Sequence, residues 1–320
     1  MFIRKFRFAA IAAAALIIAA ALLGGCSQTV DRQLDPHKLN VVASFYPLYD
    51  FATKIGGDHV HVVNLVPAGV EPHDWSPKSR DLQLLGRSQV FVYEGIGFEG
   101  WADNALKTLK ADGPVVVEAG KGVPLLQAAE DDGHDVKDGG EAGESKPGAD
   151  PHIWLSPANA KIIGANIKQA FIQADPAHKQ DYEANYANFA SKLDALDAKY
   201  KQQLGGVKQK QLVVSHQAFG YLCRDYGLTQ MPIMGLAPDA EPTAQEMKKI
   251  NDFIKQNNVK TIFFEELVSD KLAKTLAKDA GVGTAVLNPL EGLTEQQQKA
   301  GQDYFSVMET NLQHLVQALQ

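Results

Sequence analysis

One stretch of the 320-residue chain constrains the fold more than any other. Apolar and aromatic residues recur at Tyr182, Tyr186, Phe189, Leu193, Leu196, Tyr200 and Leu204, in steps of three and four, the repeat of one helix face. Asp175-Pro176 opens the run as an N-cap followed by a first-turn proline, and Gly205-Gly206 closes it. At 1.5 Å per residue, about 29 residues reach roughly 43 Å, the width of a domain. Such a face needs a surface to lie on. Either a second copy supplies it as a coiled coil, or the rest of the chain does.

The flanking sequence favours the chain itself. Candidate strands are Val41–Phe45, His61–Val66, Gln89–Tyr93 and Val115–Glu118 on one side, and Leu212–Ser215, Val259–Phe264 and Ala285–Leu287 on the other. Helix starts stand between them: Ser76-Pro77, Ser156-Pro157, the capping box Thr243-Ala244-Gln245-Glu246, and Ser269. Phe305, Met308, Leu312, Leu315 and Leu319 mark a last helix. Strand–helix alternation gives parallel sheets. The expected fold class is α/β: two α/β lobes with mostly parallel sheets joined by one long rigid helix, with residues 40–174 as the first lobe, 175–206 as the helix and 207–320 as the second.

The N-terminus reads as a targeting signal. Residues 1–8 hold Arg4, Lys5 and Arg7 and no acid, and the apolar run Ala9–Leu23 is shorter than the roughly 20 residues of a spanning helix. It ends Leu23-Gly24-Gly25-Cys26, which looks like a bacterial lipobox. Residues 1–25 are expected to be removed, Cys26 lipidated, and 26–39 left as a tether. The chain would then sit outside the cytoplasm, anchored to the cell membrane, with Cys223 as its one remaining cysteine. The formal charge of −7 argues against nucleic acid as a partner, and 45% hydrophobic residues argue against disorder throughout.

Residues 127–150 break the pattern. They are glycine-rich, with eight acids and two lysines and no periodicity. Steering of cations and a plain solvated linker both fit this composition, and His134 within it is not taken as a ligand.

Three of the nine histidines share a setting at strand or loop ends. They are His73 in Glu71-Pro72-His73-Asp74-Trp75, His152 in Asp150-Pro151-His152-Ile153-Trp154, and His216 after the strand Leu212–Ser215. Glu265 ends the strand Val259–Phe264 in the same way. Ligands of open α/β sheets bind beyond the carboxyl ends of strands. Two residues from each lobe could therefore meet in the cleft between them. Three imidazoles and a carboxylate suit a tetrahedral Zn2+ ion.

Several segments, in order, resemble the metal-binding lipoproteins that feed bacterial ABC transporters, the cluster A-I or cluster 9 family. They are Val41–Asp50, Leu65–Pro77, Tyr93–Trp101, Asp150–Pro157, Ser215–Tyr226, Asp239–Gln245 and Asn288–Leu290, spread over about residues 40 to 315. The resemblance implies a Zn2+-capturing carrier, with the ion as transported substrate and a permease with its ATPase as partners. It implies a monomer and no enzymatic activity. By the same resemblance His73, His152 and His216 occupy the first three ligand positions, and a histidine at the third is typical of zinc importers, where manganese-binding relatives carry a carboxylate. At the fourth position many relatives have Asp before Pro-Leu, where this chain has Asn288. Glu265 is the expected substitute, with Glu266 as its alternative. A manganese-binding member of the family and, from another class, a secreted zinc hydrolase stay as alternatives.

Gly95-Ile96-Gly97-Phe98-Glu99-Gly100 also matches the dinucleotide-binding pattern GxGxxG. Glu99 would set an anion against the pyrophosphate, and the segment resembles the glycine-rich turn of the metal-binding family.

Overall fold

The computed structural model describes residues 33–127, 148–238 and 241–320. The expected signal 1–25, Cys26, His134 with the rest of 128–147, and Asp239 lie outside the described residues. In chain order, β1 (Leu39–Ala43), α1 (Tyr46–Gly56), β2 (Val60–Asn64), α2 (Ser79–Arg87), β3 (Val90–Tyr93), α3 (Ala102–Leu106) and β4 (Val115–Glu118) build the first lobe. The helices α4 (Pro157–Ala174) and α5 (Lys179–Gly205) follow. The second lobe holds β5 (Gln211–Val214), α6 (Gly220–Tyr226), β6 (Thr229–Pro232), α7 (Ala244–Gln256), β7 (Thr261–Phe264), α8 (Lys271–Ala280) and β8 (Gly283–Val286). The chain ends with α9 (Glu295–Lys299) and α10 (Tyr304–Leu319).

The two sheets have the same plan. One runs β2-β1-β3-β4 and the other β6-β5-β7-β8, with parallel pairing throughout. In each, the strand order reverses beside the first strand, between β1 and β3 and between β5 and β7. Chains leaving those strands part to opposite sides and open a crevice at their carboxyl ends, where α/β sheets bind ligands. Central strands are buried on both faces and read as continuous apolar runs, as in Val41–Ala43 and Leu212–Val214.

The long face lands where its period predicts. Tyr182, Phe189, Leu193, Leu196, Tyr200 and Leu204 are buried, and Tyr186 is half-buried. Phe189 lies 5.0 Å, ring to ring, from Phe51 of α1 and 5.8 Å from Phe305 of α10. Tyr200 Oη donates to the Met308 carbonyl at 2.7 Å. The same apolar cluster takes in Val41 and Val90 of the first sheet and Leu212 and Val214 of the second. Residues Leu34–Gln320 thus form one compact unit whose largest apolar cluster packs around α5, with smaller clusters in each lobe. No described helix is long and apolar enough to cross a membrane.

The close seat of α5 on α4 depends on one glycine. A Cβ at Gly164 would lie 2.8 Å from Phe189 Cε1 and 3.3 Å from Ile55 Cδ1. Gly164→Val is expected to cost about 1–3 kcal/mol by overpacking, read as a lower urea midpoint. An unchanged midpoint would mean that the helices are not in contact there.

Three helix starts differ from the expectation, the last of them α8, which starts at Lys271 with Asp270 rather than Ser269 at its N-cap. The second helix begins at Ser79 rather than Pro77, because the Asp81 carboxylate accepts from the Lys78 amide at 2.8 Å and caps that position. Before α5, Pro176–His178 makes a 3-10 turn. Asp175 does not cap α5; its Oδ2 accepts from Tyr182 Oη at 2.7 Å and lies 2.6 Å from His178 Nδ1. Ser156 does cap α4, accepting from the Asn159 amide at 3.3 Å.

Candidate metal centre

Each histidine enters the centre from a braced turn. His73 lies between β2 and α2, where its own amide donates to Glu71 Oε1 at 3.0 Å. The same connection is tied to the second lobe by the Gly69 amide, which donates to the Leu293 carbonyl at 2.8 Å. His152 precedes a single 3-10 turn, Ile153–Leu155. Asp150 Oδ1 accepts both from its amide, at 2.9 Å, and from its Nδ1, at 2.8 Å. His216 stands just beyond β5, at one of the two points where strand order reverses.

These three side chains meet a fourth, Glu291. His216 Nε2 lies 3.2 Å from His152 Nε2 and 3.0 Å from Glu291 Oε1. The same oxygen is 3.3 Å from both His152 Nε2 and His73 Nε2. One donor atom from each residue fits within 4.8 Å of every other. Donors bonded tetrahedrally to zinc at roughly 2.0–2.1 Å would be about 3.3 Å apart. The donor set therefore has the spread of a metal's coordination sphere. His152 and His216 are fully buried, Glu291 is buried, and His73 is half-buried at the rim. Among the described residues no other group of this kind occurs.

The structure does not bring Glu265 into this group. Both of its carboxylate oxygens lie 2.8 Å from His216 Nδ1. With Nε2 turned to the other donors, Nδ1 faces away from them, so a carboxylate on Nδ1 is out of their reach. A carboxylate on Nδ1 holds the ring so that Nε2 points at the other donors and is the nitrogen that would give up its proton to a metal, as Asp150 does for His152. Glu266 is elsewhere: its Oε2 accepts from Asn288 Nδ2 and Gln297 Nε2, both at 2.6 Å. Sequence reasoning missed Glu291. The available signal was its place as the one acid in Asn288-Pro289-Leu290-Glu291-Gly292, directly after a segment already singled out.

The charges are strongly interlocked. Burial by itself would push the His216 imidazolium down, but the facing carboxylates of Glu265 and Glu291 hold it well above the ordinary histidine range. Burial opposes protonation of His152 too, and hydrogen bonds to Asp150 and Glu291 outweigh it. Glu291 is the mirror case. Burial would raise it, but His216 and the hydrogen bonds from all three histidines hold it well below the carboxylate range.

The glycine-rich turn serves this centre from one side. Gly95 and Gly97 adopt φ of 90° and 96°, and the turn lays Phe98 against His73, ring centroids 4.7 Å apart. Glu99 turns inward, accepting from the Ser44 hydroxyl at 2.5 Å and the Glu94 amide at 2.8 Å. Phe98 also meets Trp154 at 5.1 Å, so an aromatic wall backs the imidazoles.

Residues 41–318 match the model of the family described as zinc-uptake complex component A, periplasmic. The chain is 39% identical over 309 residues to the high-affinity zinc uptake system protein ZnuA of Bacillus subtilis, covering 97% of this chain and 96% of that protein. It is 41% identical over 300 residues to the zinc-binding lipoprotein AdcA of Streptococcus pneumoniae, covering 94% of this chain and 59% of that longer protein. The Zn(II)-bound ZnuA-like domain of S. pneumoniae AdcA superposes with a TM-score of 0.74 at 40% identity, covering 88% of this chain and 99% of that one. With its two parallel sheets, its long shared helix and a match over nearly the whole described body, the chain belongs to the family of zinc-uptake complex component A.

Proposed function

We propose that this protein captures Zn2+ outside the cytoplasm and passes it to a membrane permease driven by an ATPase. His73, His152, His216 and Glu291 hold the ion as cargo, with Glu265 and Asp150 orienting two of the imidazoles. The observation that carries this reading is the meeting of three imidazole nitrogens and one carboxylate oxygen within 4.8 Å. Relatives named for zinc uptake and zinc binding support it. Imidazole-rich sites favour Zn2+ over the oxygen-seeking Mn2+. Four protein donors fill a tetrahedral ion and leave no position for a reactive water, which suits carriage rather than hydrolysis. Lipid on Cys26 would keep the carrier, acting as a monomer, beside its permease.

Calorimetric titration of the metal-stripped protein is expected to show one equivalent of Zn2+ bound in clear preference to Mn2+. Absence of zinc binding, or tighter binding of manganese, would overturn the reading.

A further inference from the structure

The segment that delivers Glu291 is held by hydrogen bonds to three other parts of the chain. Asn288 Oδ1 accepts from the Leu290 amide at 2.7 Å, and Asn288 Nδ2 donates to Glu266 Oε2 at 2.6 Å. Its backbone is pinned as well: the Asn288 amide donates to Asn311 Oδ1 at 2.9 Å, and Asn311 Nδ2 donates to the Asn288 carbonyl at 2.7 Å. Pro289 keeps Asn288 out of helical backbone, and Trp154 Nε1 donates to the Pro289 carbonyl at 2.7 Å. Leu290 then adopts φ 60° with its side chain fully buried. An L-residue other than glycine seldom takes this left-handed conformation. A side-chain oxygen bonded to the amide two residues on is the device by which Asn stabilises such turns.

We infer that Asn288 is the positioning residue for Glu291: its carboxamide, clamped between the Leu290 amide and Glu266, sets the turn that aims Glu291 at the three imidazoles. Both ends of the amide are committed to this clamp, so the carboxylate three residues later, and not residue 288, completes the donor set. This inference rests on Glu291 being a ligand.

The test is a cycle of four full-length, metal-stripped proteins: wild type, Asn288→Ala, Glu291→Ala and the double variant, each titrated with Zn2+ against a competing chelator. Asn288→Ala is expected to weaken zinc binding about 10- to 100-fold, the usual effect of removing a group that orients a ligand. In the Glu291→Ala background it should change nothing further, because it acts only through Glu291. Cobalt-loaded Asn288→Ala should also lose the strong visible absorption of a four-coordinate ion. Zinc binding equal to wild type, or the same loss in both backgrounds, overturns the inference. If Glu291→Ala alone binds as tightly as wild type, Glu291 is not a ligand, and the reading beneath the inference fails on that variant by itself. Should Asn288→Ala not fold, the exposed partner offers a milder cut. Glu266→Ala should then give a smaller loss with the same dependence on Glu291, and no loss overturns the clamp.

Discussion

His216→Ala is expected to weaken Zn2+ binding more than about a hundredfold, and Glu265→Gln by about 10- to 100-fold. The ranking follows from where each group sits. His216 Nε2 is one of four mutually adjacent donors, so its loss opens the coordination sphere. Glu265 meets His216 through the ring Nδ1 and the backbone amide and does not join the four donors, so its neutral replacement keeps the ring in place and removes some of its basicity. A hundredfold loss corresponds to about 2.7 kcal/mol of binding free energy. His216→Ala also strands the buried Glu265 carboxylate without its cation, which destabilises the metal-free protein as well. The affinities should therefore be measured at a temperature where both variants give the native far-ultraviolet circular dichroism spectrum. If Glu265→Gln costs as much as His216→Ala, Glu265 binds the ion directly and the placement of Glu291 is not the functional one.

Acidification is expected to weaken binding steeply, approaching about a hundredfold per pH unit where both buried imidazoles carry protons. Nε2 must be free to ligate, so each proton that Zn2+ displaces contributes about tenfold per unit. Glu265 and Glu291 hold His216 charged well above the ordinary histidine range, and Asp150 and Glu291 raise His152 in the same direction. The zinc-free fold responds in the opposite sense. A histidine raised on folding contributes stability that is complete below the unfolded value near 6.5 and is lost as pH rises through the folded value. Glu291, lowered on folding, contributes above the unfolded carboxylate value, and this is lost as pH falls through its folded value. On the alkaline side the zinc-free centre is left with uncompensated carboxylates, where the ion supplies the missing charge. The rise in Tm on adding zinc should therefore grow with pH. Repeating the titration in buffers of different ionisation enthalpy counts the protons released. A pH-independent affinity, or no proton release near neutrality, would contradict these charge assignments.

Much of this arrangement was legible in the sequence because it follows from local chemistry. The steps from Tyr182 to Leu204 fixed a helix face, and the alternation of short β-rich runs with capped helices fixed parallel sheets. His73, His152 and His216 stood beside turn residues at strand and loop ends, and the structure brings them together. What stayed hidden depends on contacts between distant residues. The strand β6 is four residues long, partly exposed and ends in Pro232, marks of an edge strand that carry no alternating pattern. Glu265 ends its strand in the expected place, but whether a carboxylate there meets the metal or the far nitrogen of a histidine is decided by the orientation of the His216 ring. Glu291 depends on a left-handed Leu290, and no residue preference announces that conformation at a leucine. The glycine pattern at Gly95–Gly100 shows the reverse failure: a motif with the right spacing supports an aromatic wall.

Anomalous diffraction from crystals of the zinc-loaded protein, collected on either side of the zinc absorption edge, addresses the donor set directly. A single strong peak is expected within about 2.0–2.2 Å of the Nε2 atoms of His73, His152 and His216 and of a Glu291 oxygen, with Glu265 remaining on His216 Nδ1. A peak bonded to Glu265 or Asn288 in place of Glu291, or no peak among the three histidines, would contradict it.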